Sequence, residues 1–345
     1  MQDVSSRTTS VTQVLIATLL IVATLAVADG IFAPIAFALF ILALVWPVQV
    51  RLQKSLPRIV ALLITFLVVA AVVLALALLT AWSFSQVARW LVADASRLTQ
   101  AYESLRLWLE ERGIVLAVLW SDNFGMSWIL RVTQTLGGRL NSTFSFWLVA
   151  LVYVLLGLLE VEDFAKRLKS LRNAAIGNMF LQGSRLTAAK IRRYMVIRTA
   201  MSVITGLLVW AFAKLVGLPL AEQWGFIAFA LNYIPFIGPL VATLLPTLLA
   251  LAQFDTWGGV IALFVGLNLI QSIVGSYVEP RVAGSALSMS PVLVLFSVFL
   301  WGYLWGIFGA FIGVPISIAV LTFCSQHPSS KWVSDLFGLQ APEKA

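Results

Sequence analysis

The feature that most constrains this chain is a series of apolar runs, each about as long as a lipid bilayer is thick. A spanning helix needs roughly 20 apolar residues. Residues 11–28 carry no charge, and apolar runs at 31–50 and 59–82 follow after short interruptions. Further runs occupy residues 144–159, 199–217, 223–252, 257–278 and 291–323. In lipid every backbone polar group needs an internal partner, so runs of this length and composition read as helices. The expectation is an all-α, polytopic integral membrane protein with about eight membrane-embedded segments. Two of them, near the C-terminus, read as broken or re-entrant helices.

Composition agrees. Apolar residues make up 61% of the 345 and charged residues 11%, whereas a soluble domain averages about half and about a quarter. The first run ends in Ala26-Val27-Ala28, which resembles a small-residue cleavage site. It is longer than the roughly 7–15 residues of a signal core, and a second run begins almost at once, so it reads as a retained helix. One cysteine, Cys324, and one histidine, His327, leave no intrachain disulfide and too few ligands for a protein zinc cage. No cofactor and no metal are expected. The net charge of +8 would raise nucleic acid as a partner in a soluble chain. Here the basic residues lie between apolar runs, so membrane topology explains them and no nucleic acid is expected.

Loop charge sets an orientation. The 51–58 loop carries Arg51, Lys54 and Arg58 and no acid; residues 161–198 carry nine Lys or Arg against Glu162 and Asp163. Both read as cytoplasmic. Residues 83–143, with six Arg and five acids, read as external. The inferred layout is a three-helix membrane region (1–82), an external amphipathic segment (83–143) and a transmembrane helix (144–160). A basic cytoplasmic segment (161–198), a transport region with the broken helices (199–324) and a cytoplasmic tail (325–345) follow. Both termini are then cytoplasmic. In the external segment Phe84, Val87, Leu91, Leu98, Tyr102, Leu105 and Leu109 recur at helical spacing, with Gly113 as a stop. Trp120, Trp128 and Trp147 suit an interfacial belt. In the basic segment Arg185, Lys190, Arg192 and Arg193 suit anionic lipid headgroups, although positive-inside bias alone accounts for them.

The last third is the most informative. Residues 231–246 read L-N-Y-I-P-F-I-G-P-L-V-A-T-L-L-P. Pro235, Gly238, Pro239 and Pro246 inside an apolar run make a smooth helix improbable, because proline removes a donor and clashes with the preceding turn. Backbone groups freed at membrane depth must find protein partners or line a wet cavity, and interrupted helices are the best sequence pointer to a transporter's site. Asn232 and Tyr233 stand at this break; the alternative for Asn232 is a helix cap. A second interruption, residues 301–315, contains Gly302, Gly306, Gly309, Gly313 and Pro315. Its two small-xxx-small pairs suit close helix packing or a substrate path equally. Either both broken runs span once or both are re-entrant hairpins. The hairpins place Arg281 inside and Asp255 outside, which loop charge and the 33-residue length of 291–323 favour.

Between the broken runs stands Glu279-Pro280-Arg281. An acid and a base two residues apart do not share a helix face, so each is expected to find a different partner. Pro280 argues against a continuing helix at Glu279. The tripeptide reads as a hinge or coupling element, or else as a pair of headgroup anchors.

The sequences N-Y-I-P-F-I-G-P (232–239), E-P-R-V-A-G-S-A-L-S-M-S (279–290) and W-G-Y-L-W-G-I-F-G-A-F-I-G-V-P (301–315), the glycine-rich run, resemble the autoinducer-2 exporter family of bacterial membrane proteins. The layout of three amino-terminal spans and a long external segment is similar too. The resemblance implies export of the autoinducer-2 quorum-sensing signal and assembly as a homo-oligomer. Some relatives resemble sodium(lithium)/proton antiporters, so the family alone leaves the substrate open.

The chemistry of the spans separates the candidate activities. An exporter of a small polar solute would use amides, hydroxyls and half-helix ends, and Asn232, Tyr233, Asn268, Gln271 and Ser272 supply such groups. Proton-coupled antiport usually places an acid or histidine within the membrane. Only Glu279 and Glu160, at membrane edges, approach that description, so antiport is the alternative, together with a passive small-solute pore. No H-E-x-x-H or G-x-x-x-x-G-K-[ST] occurs, so an intramembrane metalloprotease and a P-loop nucleotide site are not expected, and the chain does not read as an enzyme.

Overall fold

The computed structural model describes residues 2–93, 96, 100, 103, 107, 110–112, 126–254, 256–283 and 289–338. Regular structure among them is helical, with no strand. In chain order the helices are α1 (Gln2–Val27), α2 (Asp29–Leu52), α3 (Arg58–Ala93), α4 (Met126–Lys169), α5 (Ala174–Leu215), α6 (Ala221–Leu231) and α7 (Ile237–Gln253). Then come α8 (Trp257–Ser272), a π-helical segment (Ile273–Val278), α9 (Glu279–Ala283), α10 (Pro291–Ser325) and α11 (Lys331–Leu336). Six described helices are long and apolar enough to cross a membrane, and Ile16–Val27 and Ile237–Leu251 are shorter apolar helices. Large apolar side chains such as Leu39, Ile59, Leu67 and Leu207 lie exposed on these helices, which suits a surface solvated by lipid rather than water. The protein is therefore an all-α polytopic membrane protein.

The expected borders at 143/144 and 160/161 fall inside α4, a single helix from Met126 to Lys169. Of the expected external helix, Phe84, Val87 and Leu91 belong to the end of α3, with Val87 buried and Phe84 and Leu91 packed around it in a core cluster. Leu98, Tyr102, Leu105, Leu109, Gly113 and Trp120 lie outside the described residues.

Two compact units make up the chain. The first comprises Met1–Arg51, Phe146–Ile191 and Met289–Ala345; the second comprises Leu52–Ser145 and Arg192–Ser288.

In the first unit α10 is not one straight rod. Trp305 (φ −129°, ψ 17°) and Gly306 (φ 63°, ψ −146°) leave helical geometry. Glycine suits the second position, because a positive φ of that kind is open to residues without a Cβ. The chain turns back there. The hydroxyls of Ser297 and Ser317 approach to 2.6 Å, although twenty residues along a straight helix would span about 30 Å. A Cβ on Gly313 would lie 2.8 Å from the Ser297 carbonyl oxygen, and one on Gly302 would touch Ala310 at 3.4 Å. The run is thus a helical hairpin with glycine between its legs. Around it Phe37, Phe146, Trp147, Phe308 and Phe311 form a ring cluster, with Phe146 stacked on Phe308 at 3.8 Å. Trp147, expected at an interface, is part of this cluster. The Trp305 indole donates to the Leu25 carbonyl at 2.9 Å.

The second unit contains the other hairpin, α6 and α7. Its core joins Trp224 and Ile227 of α6, Leu249 of α7, and Leu263 and Leu267 of α8 to Val87 and Val209. Gln253, at the end of α7, donates its amide to the Gly217 carbonyl before α6 at 3.1 Å. Both legs therefore start and finish at one end of the unit. Both broken runs thus fold as helical hairpins.

One expectation needs correction. Pro280 does not end the helix at Glu279. The chain continues from α8 through the π-helical segment into α9, and Glu279 has ordinary right-handed helical angles (φ −56°, ψ −49°). The wider π turn explains the tolerance, because it eases the crowding that a proline ring imposes on the preceding turn.

Candidate functional site

The site in the second unit is built on one face of α5. Tyr194, Arg198 and Ser202 follow one another at four-residue intervals and Thr205 comes three residues on, so all four lie on one stripe of the helix. All four are buried. An apolar helix that buries a polar stripe against its neighbours is either holding those neighbours in register or lining a route.

The tip of the first hairpin meets this stripe. Pro235 has no N–H to donate, and the chain passes Phe236 with φ 63° and ψ −52° before α7 begins. A positive φ at a bulky residue costs on the order of 1–3 kcal/mol and persists only where the surroundings enforce it. Here Gly238 enforces it: its N–H donates to the Ile234 carbonyl at 2.9 Å, and a Cβ at that position would collide with the Leu231 carbonyl. The strained tip aims its polar side chains at α5. Asn232 is buried and donates to Ser202 Oγ at 3.3 Å, and Tyr233 bonds the Thr199 hydroxyl at 3.0 Å. Asn232 occupies the C-cap position of α6, but its side-chain amide reaches across to the neighbouring helix.

Distances along α5 show how deep the tip reaches. The base of the hairpin is at Gly217 and the tip contacts Thr199. From Thr199 to the end of α5 at Leu215 the helix rises sixteen residues, about 24 Å, most of the roughly 30 Å of a bilayer's hydrocarbon core. The polar tip therefore lies far from the end at which the hairpin enters.

One residue beyond that contact along α5 stands Arg198. Its Nη1 donates to both oxygens of Glu279, at 2.8 and 3.1 Å. The Arg198 side chain is 7% exposed and that of Glu279 23%. Arg281 turns elsewhere and lies 3.6 Å from the centroid of the Tyr277 ring. The acid and base of the tripeptide thus face different partners. Sequence reading missed Arg198, which looked like one of nine basic residues on a positive-inside segment. The available signal was its register with Tyr194 and Ser202. By contrast Arg185 and Arg193 are exposed, as headgroup-facing residues would be.

Other sequence-selected residues are not drawn to the tip. Asn268 gives its amide to the Phe264 carbonyl of its own helix at 2.8 Å, Gln271 is half-buried, and Ser272 is exposed. Pro235 and Gly238 are buried within the turn and Pro239 follows it half-buried, so these three shape the backbone. Gly302, Gly309, Gly313 and Pro315 belong to the hairpin of the first unit; Gly309 and Gly313 fit closely against its other leg, where Cβ atoms would meet the Trp301 and Ser297 carbonyls. Gly306 is exposed at the turn.

Two helical hairpins in an apolar helical protein, one with a polar tip far from its base, fit a membrane transporter. Comparison with known proteins gives the family. The AI-2E family transporter model matches residues 15–328, and the chain belongs to that family. The AI-2 transport protein TqsA of Escherichia coli (strain K12) is 30% identical over 300 residues, covering 85% of each chain. A candidate transport protein of Borreliella burgdorferi is 26% identical over 317 residues, 91% of this chain and 86% of its own. The candidate transport protein YhhT of E. coli (strain K12) is 28% identical over 192 residues, 55% of this chain and 53% of its own. The role of this chain is membrane transport.

Proposed function

We propose that this protein exports a small polar signalling molecule of the autoinducer-2 type across the bacterial inner membrane, with both termini in the cytoplasm. The observation that carries the reading is the polar tip of the first hairpin, where Asn232 and Tyr233 meet Ser202 and Thr199. Amides and hydroxyls at such a position suit a small polar solute, uncharged or weakly anionic, that is bound through hydrogen bonds. The similarity to TqsA supports this choice of solute. The orientation is supported by loop charge: hairpins return the chain so that the basic 51–58 and 161–198 segments and Arg281 share one side. Glu279, the acid that cation/proton antiport would use, is paired with Arg198.

The test is efflux from liposomes containing the purified protein and loaded with autoinducer-2, with and without a proton gradient. The export reading expects saturable efflux above that of empty liposomes. Non-saturating flux would indicate a pore. Sodium- or lithium-driven proton movement without autoinducer-2 efflux would replace the export reading by antiport.

A further inference from the structure

The polar stripe of α5 carries more hydrogen-bond donors than acceptors. An arginine side chain offers five N–H donors. Acceptors are found at Nη1 of Arg198, where both Glu279 oxygens converge. Its Nε is buried and has no acceptor among the described residues. One turn away the Tyr194 hydroxyl is also buried with no partner among the described residues, and it lies close enough to Arg198 and Glu279 to feel both charges. A buried donor left unpaired costs about 1–3 kcal/mol, so two at one place mark a location where an acceptor belongs.

The arrangement of the ion pair says which acceptor. A guanidinium and a carboxylate reach their best geometry when two nitrogens meet two oxygens. Glu279 instead directs both oxygens at one nitrogen, which leaves the guanidinium fork unused. It is also the more exposed partner, at 23% against 7%. It is carried at the end of the π-helical segment Ile273–Val278, a helix form that recurs at functional sites. Arg198 is thus a fixed, buried cation, and Glu279 is an acceptor on the element better suited to move.

We propose that Arg198 and Tyr194 form a subsite for a small oxyanion, a carboxylate or phosphate group, with Glu279 as its resting internal occupant. This rests on reading the α5 face and the hairpin tip as the transport path. The subsite lies just beyond the tip, so an oxyanion that takes Arg198 releases Glu279 and the segment that carries it, and the next pairing with Glu279 expels the anion. The burial of Arg198 favours a small solute over a lipid headgroup, which would need the guanidinium at the surface.

The probe is inorganic phosphate, its binding measured by equilibrium dialysis on the full-length protein in nanodiscs of phosphatidylcholine. Glu279→Gln removes the competing charge and should tighten phosphate binding at least about tenfold. Tyr194→Phe, which keeps the ring, should weaken it in that background. Removing one partner of a buried pair endangers folding, so Arg198 is tested in the double variant Arg198→Gln/Glu279→Gln, which is neutral at both positions and should not bind phosphate. Binding no tighter in Glu279→Gln than in the parent, or retained in the double variant, would overturn the subsite. Adding phosphatidylglycerol distinguishes the sources: displacement of phosphate by that lipid at low mole fraction would make the site a headgroup site and sink the solute reading. Phosphate binding in the expected order without any autoinducer-2 efflux would leave the subsite standing and remove the export reading. Efflux without phosphate binding would do the reverse.

Discussion

The two helical hairpins look alike in sequence, since each is an apolar run interrupted by glycine and proline, but they are held shut in different ways. Both turn on the same device: a glycine just past the tip packs on the carbonyl of the preceding leg, Gly238 on Leu231 and Gly309 on Trp301. Beyond the tip they diverge. The α10 hairpin closes on itself, with Gly302 against Ala310 and Gly313 against the Ser297 carbonyl, and its apex is aromatic. The α6–α7 hairpin leans on a neighbour. Gly225 of α6 meets Gly206 and Trp210 of α5, and the tip reaches the same helix through Asn232 and Tyr233. One hairpin is therefore closed by packing between its own legs, and the other is docked on α5 through polar contacts. A helix pair needs glycines between its own legs only when the legs themselves are the interface.

The largest expected effect separates the two kinds of closure. Gly313→Leu places a side chain where even a Cβ would meet the Ser297 carbonyl at 2.8 Å and the Trp301 Cβ at 3.3 Å. Neither is the free end of a flexible side chain, so the legs of the α10 hairpin must part. Overpacking of this kind costs typically about 1–3 kcal/mol. The expected outcome is a lower thermal midpoint in detergent and a fall in monodisperse protein. A variant as stable and as active as the parent would show that the legs of α10 are not pressed together there.

An intermediate effect is expected at the docked hairpin. Asn232→Ala removes the amide that bonds Ser202 and leaves the helix geometry in place. Stability should fall by no more than about 1 kcal/mol, in line with a single interhelical bond in a membrane. Initial efflux rates should fall several-fold, because the amide is one of the few polar groups at the tip. Equal losses of folded protein and of activity would return Asn232 to the role of a structural cap.

The hairpins also show which parts of the site were legible in the sequence. Both breaks could be read, because Pro235, Gly238, Pro239 and Gly306 act through local backbone geometry that needs no knowledge of neighbours. Turn-back rather than single crossing was favoured by loop charge and run length. The identity of the strained residue was not legible: Phe236, not a glycine, takes the positive φ, because the glycine was needed two positions later for close approach. Pro280 misled for a related reason. Its effect was inferred from an α-helix, and the chain supplied a π-helix instead. Arg198 was hidden by its company, since positive-inside bias explains a basic residue in that segment whether or not it is buried. Its register with Tyr194 and Ser202 was the one local signal; the pairing with Glu279, eighty-one positions away, cannot be read from one sequence.

The smallest expected effect sharpens the contrast from the other side. The Ser297 and Ser317 hydroxyls, 2.6 Å apart, are the polar link between the legs of α10. Ser297 also bonds the Leu293 carbonyl one turn back at 2.6 Å, so it keeps a partner when Ser317 is replaced. If glycine packing closes this hairpin, Ser317→Ala should cost only about 0.6 kcal/mol, the average for interhelical polar contacts in membranes. The residual hydroxyl of Ser297 is then still satisfied within its own helix, and no buried donor is stranded. Thermal unfolding in detergent should show a midpoint near that of the parent, and efflux should be unchanged. The same substitution at Ser202, the partner of Asn232, should cut efflux despite a similar cost in stability, because there the hydroxyl belongs to the route and not merely to the hinge of two legs. A large destabilisation by Ser317→Ala, or efflux indifferent to Ser202→Ala, would mean that the two hairpins are held by the same forces after all.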